Sequence, residues 1–177
     1  IPQLTKELQL MLADLGMENV RFSIQINPSK EYLPNGKDTL DFLFSANKGG
    51  SFGALKKVAS GGELSRIMLS IKKILSENKK LPTIIFDEID TGVSGEVSNK
   101  IAAIMQTMGN HMQVIAITHL PQIAAKGKNH YKVYKGEENG STTTNLKLLS
   151  SEERIHEIAE MLSGKELSDS AITHAKE

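Results

Sequence analysis

Two short apolar runs, Thr83-Ile84-Ile85-Phe86 and Val114-Ile115-Ala116-Ile117, bracket a segment in which Val97, Ile101, Ile104, Met105 and Met108 recur at helical spacing before Gly109. Runs apolar at every position suit strands covered on both faces, and a stripe of period 3.6 suits a helix packed across them. Strand, helix, strand in that order predicts parallel pairing, the unit of an α/β sheet. Ligands of such sheets bind beyond the C-terminal ends of the strands. The residues that follow the two runs are therefore the first place to look for chemistry: Asp87-Glu88 and Thr118-His119.

An adjacent acidic pair at the end of a buried strand has two natural uses beside the bland one of capping the strand end. One carboxylate can hold magnesium and the other can orient water. Asp87 leaves the strand first and is the candidate for the metal; Glu88 is the candidate for polarising water near a γ-phosphate. His119 should emerge at the same sheet edge as Glu88, where it could hydrogen-bond a phosphate; a loop histidine before Pro121 also reads as a structural or surface residue. Upstream lies Ser60-Gly61-Gly62-Glu63-Leu64-Ser65-Arg66. Two glycines opening a helix let backbone N–H groups face an anion, with a favourable helix N-terminus behind them and the Ser60 hydroxyl alongside. Taken alone, the same residues also read as a turn in which Ser60 or Ser65 caps the helix.

The rest of the chain supplies a scaffold. Leu4, Leu8, Met11, Leu12 and Leu15 share one helical face, with Gly16 where a C-terminal cap belongs. Val20, Phe22, Ile24 and Ile26 alternate with polar residues, as do Leu40, Phe42 and Phe44 after the turn Pro34-Asn35-Gly36, predicting two antiparallel strands. A glycine-rich loop follows at Asn47–Gly53. Leu64, Ile67, Met68, Ile71, Ile74 and Leu75 then mark a long amphipathic helix that starts at the Gly61-Gly62 pair and ends at Lys79-Lys80-Leu81-Pro82. Further on, Tyr131-Lys132-Val133-Tyr134 and Thr142 to Leu148 flank a turn and predict a hairpin. Ser150 with Glu153 forms a capping box for a helix through Ile155, Ile158, Ala159 and Leu162, closed by Gly164.

Several function classes lose support. With 21 Lys+Arg against 21 Asp+Glu the net charge is +0, so any nucleic-acid contact must be local or made elsewhere. Lys126, Lys128, Lys132 and Lys135 cluster near His130, which reads as a solvated basic edge or as a nucleic-acid surface. The chain has no cysteine, which removes disulfides and thiolate metal sites and fits the cytoplasm. His111, His130, His156 and His174 lack metal-ligand spacing and receive no function. No apolar run approaches the roughly 20 residues that span a bilayer. No Gly-x-x-x-x-Gly-Lys-Ser/Thr phosphate loop occurs in the 177 residues. The start at Ile1 and the stop inside a helix-like segment suggest a piece of something longer.

Ala59 to Met68 resembles the signature motif of ABC-type ATPases, Ile84 to Glu88 resembles their Walker B strand, and Thr118-His119 resembles their switch-histidine loop. Val58 to Leu69, Ile85 to Gly95 and Thr118 to Ala124 narrow the resemblance to SMC-like ATPases of bacterial DNA repair, and it extends from about Phe42 to Gly164. It implies the C-terminal lobe of an ABC/SMC-type ATPase head: a mixed sheet with parallel core strands flanked by helices, plus antiparallel strands and C-terminal helices. The expected organisation is one domain over 1–177, with an entry helix or coiled-coil end at 1–16, the lobe at 17–164 and a truncated C-terminal helix at 165–177.

The resemblance also implies roles. ATP with Mg2+ would be hydrolysed where two heads meet, Ser60, Gly61, Gly62 and Glu63 serving in trans the ATP held by another head. Asp87 would hold magnesium, directly or through water, and Glu88 and His119 would be catalytic. ABC transporters usually carry an aspartate where this chain has Ser94, so Ser94 and Gly95 are expected only as an interface loop. The implied partners are an N-terminal Walker A lobe of the same protein, a second head and DNA, with no membrane, and the implied process is recombinational repair of double-strand breaks. Alone, the fragment is expected to be inactive. The alternatives are a non-catalytic nucleotide-gated dimerisation or DNA-clamp module and, less favoured, a transporter nucleotide-binding domain.

Overall fold

The computed structural model describes every residue except 1, 35, 79, 80, 88, 91, 94, 139, 165–167 and 177. The chain divides into two compact units, 1–117 and 118–177.

The first unit opens with helix α1 (Pro2–Asp14), strands β1 (Arg21–Leu33), β2 (Gly36–Ser45) and β3 (Gly53–Ala54), and the short helix α2 (Leu55–Val58). Leu8 and Leu12 on the predicted face of α1, and Leu15 just beyond its end, are fully buried. Gly16 terminates the helix at φ +78°, a left-handed conformation that glycine adopts without a Cβ penalty, and Met17 N–H returns to the Leu12 carbonyl at 2.8 Å. The two alternating segments pair antiparallel in the register Phe22 opposite Phe44 and Ile24 opposite Phe42. The strands run further than their alternation suggests, with an irregularity between Pro28 and Leu33, where proline cannot donate to the ladder.

Leu12, Met17, Val20, Phe44 and Ile67 form one buried cluster, flanked by Phe22, Leu55, Ala59 and Ile71. The Phe22 ring lies 5.6 Å from Phe44 and 5.3 Å from Phe42, centroid to centroid. Each such side chain contributes about 1.5–3 kcal/mol by leaving water. Because Ile67 sits on helix α3 (Gly61–Asn78), this cluster fixes α3, and with it the Gly61-Gly62 end, to the hairpin.

Strand β4 (Thr83–Asp87), helix α4 (Gly95–Met108) and strand β5 (Gln113–Ile117) form the predicted strand-helix-strand unit. β4 and β5 are parallel, with Ile85 opposite Ile115 and Asp87 opposite Ile117. Cover on both faces was the sequence expectation, and the structure corrects it. Ile84 and Phe86 are buried, and the Lys72 ammonium of α3 lies 5.4 Å from the centre of the Phe86 ring. The opposite face stays open: Ile85 is 57% exposed, Ile115 42% and Ile117 54%. An apolar run records that a strand is to be covered, but not which chain segment covers it.

The second unit holds the one-turn helix α5 (Pro121–Ala124), strands β6 (Tyr131–Glu138) and β7 (Ser141–Leu148), and helices α6 (Ser151–Ser163) and α7 (Asp169–Lys176). β6 and β7 make the predicted antiparallel hairpin, Tyr131 opposite Leu148 and Val133 opposite Leu146. The box at α6 forms in both directions: Ser150 N–H donates to Glu153 Oε2 at 2.9 Å and Glu153 N–H to Ser150 Oγ at 3.3 Å. Gly164 closes α6 at φ +79°.

Candidate functional site

Helix α3 begins where the sequence places it, and the way it begins is specific. Ser60 lies just ahead of the helix, and its carbonyl accepts the first helical bond, from Leu64 N–H at 2.8 Å. Glu63 reaches back so that one carboxylate oxygen, Oε2, accepts Ser60 N–H at 2.7 Å and Ser60 Oγ–H at 2.8 Å. Glu63 N–H completes the box by donating to Ser60 Oγ at 3.4 Å. Of the two capping serines considered from sequence, Ser60 is the cap, and Ser65 lies inside the helix. The Ser-x-x-Glu spacing carried this signal in the sequence, as it did at Ser150.

The cap leaves the helix entrance open to a ligand. Ser60 and Gly61 are exposed, and a Cβ at Gly61 would meet no atom within 4 Å. Backbone N–H groups of a first turn with a helix N-terminus behind them suit the oxygen atoms of a phosphate. Glu63 is the competing acceptor at that entrance.

Asp87 is the last residue of β4 and is exposed, and its register partner Ile117 is the last of β5, so both strands finish at one sheet edge. A single exposed carboxylate fits magnesium, which keeps most of its waters and takes one or two carboxylates together with substrate phosphates. Glu88 and Ser94 lie outside the described residues. Gly95 opens α4, and its carbonyl accepts the buried Ser98 hydroxyl at 2.7 Å. Asp90, inside the Ile85 to Gly95 motif but given no role there, is 2% exposed.

His119 belongs to the second unit and is exposed. Its loop is held on the C-terminal side by Leu120 N–H donating to Thr118 Oγ1 at 3.0 Å, and by α5 starting at the next residue. From the lysine cluster, Lys132 is taken up by Glu157 and by Glu160 at 3.3 Å, which raises its pKa, the Glu157 hydrogen bond being the main cause. Lys126, Lys128 and Lys135 are exposed. His130, assigned no function from sequence, has its Nδ1 buried without a hydrogen-bond partner, and burial followed by the Arg154 charge lowers its pKa.

The fold is similar to that of solved SMC head domains. It superposes on a chain from work on the structural biochemistry of ATP-driven dimerization and DNA-stimulated activation of SMC ATPases with a TM-score of 0.57, covering 92% of this chain and 93% of that one at 17% identity. It matches the Smc head domain with a coiled coil and joint from Pyrococcus yayanosii with a TM-score of 0.64, over 90% of this chain and 29% of that one at 18% identity. No protein-family profile matches the sequence. Relatives do: the DNA repair protein RecN of Halalkalibacterium halodurans is 40% identical over 99% of this chain, and that of Bacillus subtilis 39% identical over 99%. The chain is homologous, over almost its whole length, to part of a RecN protein, and it spans 32% of each of these two relatives. Among the described residues no helix is long and apolar enough to cross a membrane.

Proposed function

We propose that this chain is the signature and Walker B lobe of an SMC-like ATPase head that acts in recombinational repair of DNA double-strand breaks. The observation that carries the reading is the 40% identity to a DNA repair protein RecN across 99% of the chain. The local geometry supports it with an open helix entrance at Ser60-Gly61 and a carboxylate at the C-terminal end of a parallel strand.

In this reading Ser60, Gly61 and Gly62 bind the γ-phosphate of ATP held by an opposing head, with backbone and hydroxyl donors aimed at charge that builds in the transition state. Asp87 is the carboxylate ligand for magnesium, the ion that would offset phosphate charge when bound. Glu88 orients the attacking water, and His119 donates a hydrogen bond to the γ-phosphate. Gly95 and Ser94 lie at the head-head interface. The N-terminal lobe of the same protein supplies the phosphate loop and covers the face made by Ile85, Ile115 and Ile117, since parallel strands are ordinarily buried on both sides. DNA is engaged by the full-length protein.

Glu88→Gln in the full-length protein tests this. Turnover should fall about 100-fold or more while ATP-bound dimers accumulate, the size of effect expected when one catalytic group is removed. Unchanged turnover refutes the role of Glu88, and wild-type protein that dimerises on ATP without hydrolysing it favours a nucleotide-gated clamp. The fragment by itself should not hydrolyse ATP, and magnesium-dependent turnover by it would contradict the division of the site between lobes.

A further inference from the structure

The switch-type loop at His119 leads into a helix that is too short to hold itself. α5 is a single turn, and one turn of helix is unstable in water because nucleation costs more than its few hydrogen bonds return. Its start has no side-chain cap, and at its end the Ala124 carbonyl accepts only a long backbone bond, from Gly127 N–H at 3.3 Å. The buried Ile123 anchors its middle. The end is gripped by an arginine from a distant helix. Arg154 Nη2 donates to the Ala125 carbonyl at 2.6 Å and to the Ala124 carbonyl at 3.4 Å, and Nη1 approaches the Lys128 carbonyl at 3.5 Å. A guanidinium at a helix C-terminus satisfies orphan carbonyls and opposes the negative end of the helix dipole.

Arg154 is itself held in place. α6 is strapped to the β6–β7 hairpin by Lys132 with Glu157 and Glu160, and by Lys147 with Glu153. A continuous line of contacts therefore runs from the hairpin through α6 and the Arg154 fork to α5. The N-cap residue of that turn, Leu120, follows His119 directly.

We infer that Arg154 is a positioning residue for His119: it fixes α5 by its carbonyl end and thereby sets the loop that carries the histidine. The inference rests on the reading that His119 acts on the γ-phosphate. Lysine can replace the charge but not the two-pronged geometry, so Arg154→Lys should retain only part of the effect.

The test uses the full-length protein, steady-state MgATP turnover and amide hydrogen exchange over 120–127. Arg154→Ala and Arg154→Gln should lower kcat about 10- to 100-fold, the loss that a misplacement of an ångström brings, with KM held within about twofold. Exchange over 120–127 should quicken, and Arg154→Lys should recover part of both. Lys147→Ala removes a solvent-screened ion pair of the same helix while leaving the Lys132 strap and the Arg154 fork intact, and should leave kcat near wild type. Wild-type kcat in folded Arg154→Ala, a loss confined to KM, or an equal loss in Lys147→Ala overturns the inference. If the wild-type protein shows no turnover, the functional reading fails instead, and unchanged exchange in Arg154→Ala then overturns the Arg154 role separately.

Discussion

At Ser60 and at Ser150 the chain opens a helix with the same Ser-x-x-Glu device, yet the two boxes sit in different surroundings. At Ser150 the first helical residues are Ser151 and Glu152, and the Glu153 carboxylate also binds Lys147. Every group there serves the helix. At Ser60 the first two helical residues are glycines, each of which costs a helix about 0.5–1 kcal/mol relative to alanine. Glu63 takes up the Ser60 hydroxyl as well as its N–H. A helix start built only for stability would not spend two glycines. Under the proposed function, the Ser60 end is the one kept open for a phosphate that approaches the backbone, with Glu63 as the acceptor it displaces.

The strongest way to break this comparison is to delete both cap hydroxyls in the full-length protein. Ser60→Ala and Ser150→Ala should each cost about 1 kcal/mol of stability, the usual loss of a cap. Only Ser60→Ala should also lower ATP turnover, by about 100-fold, as the loss of a single phosphate-directed donor does. Thermal unfolding and turnover on the same preparations separate the two effects. If turnover moves equally little in both variants, Ser60 is a cap and nothing more.

What the sequence discloses of this chain follows the range of the interactions. The β1–β2 pairing, the β6–β7 hairpin and the Ser150 box are legible because alternation, turn residues and a four-residue spacing act locally. The parallel partnership of β4 and β5 is legible because an amphipathic helix lies between two apolar runs. The Ser60 box has the same spacing as the Ser150 box, but glycines at its first helical positions turn attention to phosphate. Arg154 reaching Ala125, 29 residues away, and Lys132 reaching Glu157, 25 away, have no local signature. Nor does the burial of Asp90. For Glu88 and Ser94 the sequence motif remains the whole argument, since both fall outside the described residues.

A finer test sharpens the role of Glu63. Glutamine can fill the carboxylate's place in a capping box, so Glu63→Gln retains the cap and removes the negative charge from the helix entrance. Stability should fall by less than about 1 kcal/mol, because a charge in the first turn favours the dipole only weakly. ATP-driven dimerisation of the full-length protein should tighten by about fivefold, the same ~1 kcal/mol read as binding of a competing anion. Sedimentation across an ATP titration measures it. Dimerisation that is unchanged or weaker would show that Glu63 does not compete with phosphate for Ser60.

The smallest effect concerns the Ser150 end, where the box should behave as a pH-dependent clasp. The Lys147 hydrogen bond, then the Ser150 N–H, lower the Glu153 pKa from 4.5 to about 2. A carboxylate depressed in the folded state contributes stability that is present above pH 4.5 and is lost as pH falls through about 2. Both side chains are exposed, so the contribution is screened and should shrink in 1 M salt, where the Debye length is about 3 Å. Urea unfolding between these pH values should show a slope in the wild-type chain that Glu153→Gln removes. His130 changes stability in the same direction but at higher pH. Its pKa is lowered by burial and then by Arg154, so the folded state resists protonation and loses stability as pH falls below 6.5. The Glu153→Gln variant separates the two groups, and a wild-type slope between 4.5 and 2 that persists in it would assign the acid response to groups other than Glu153.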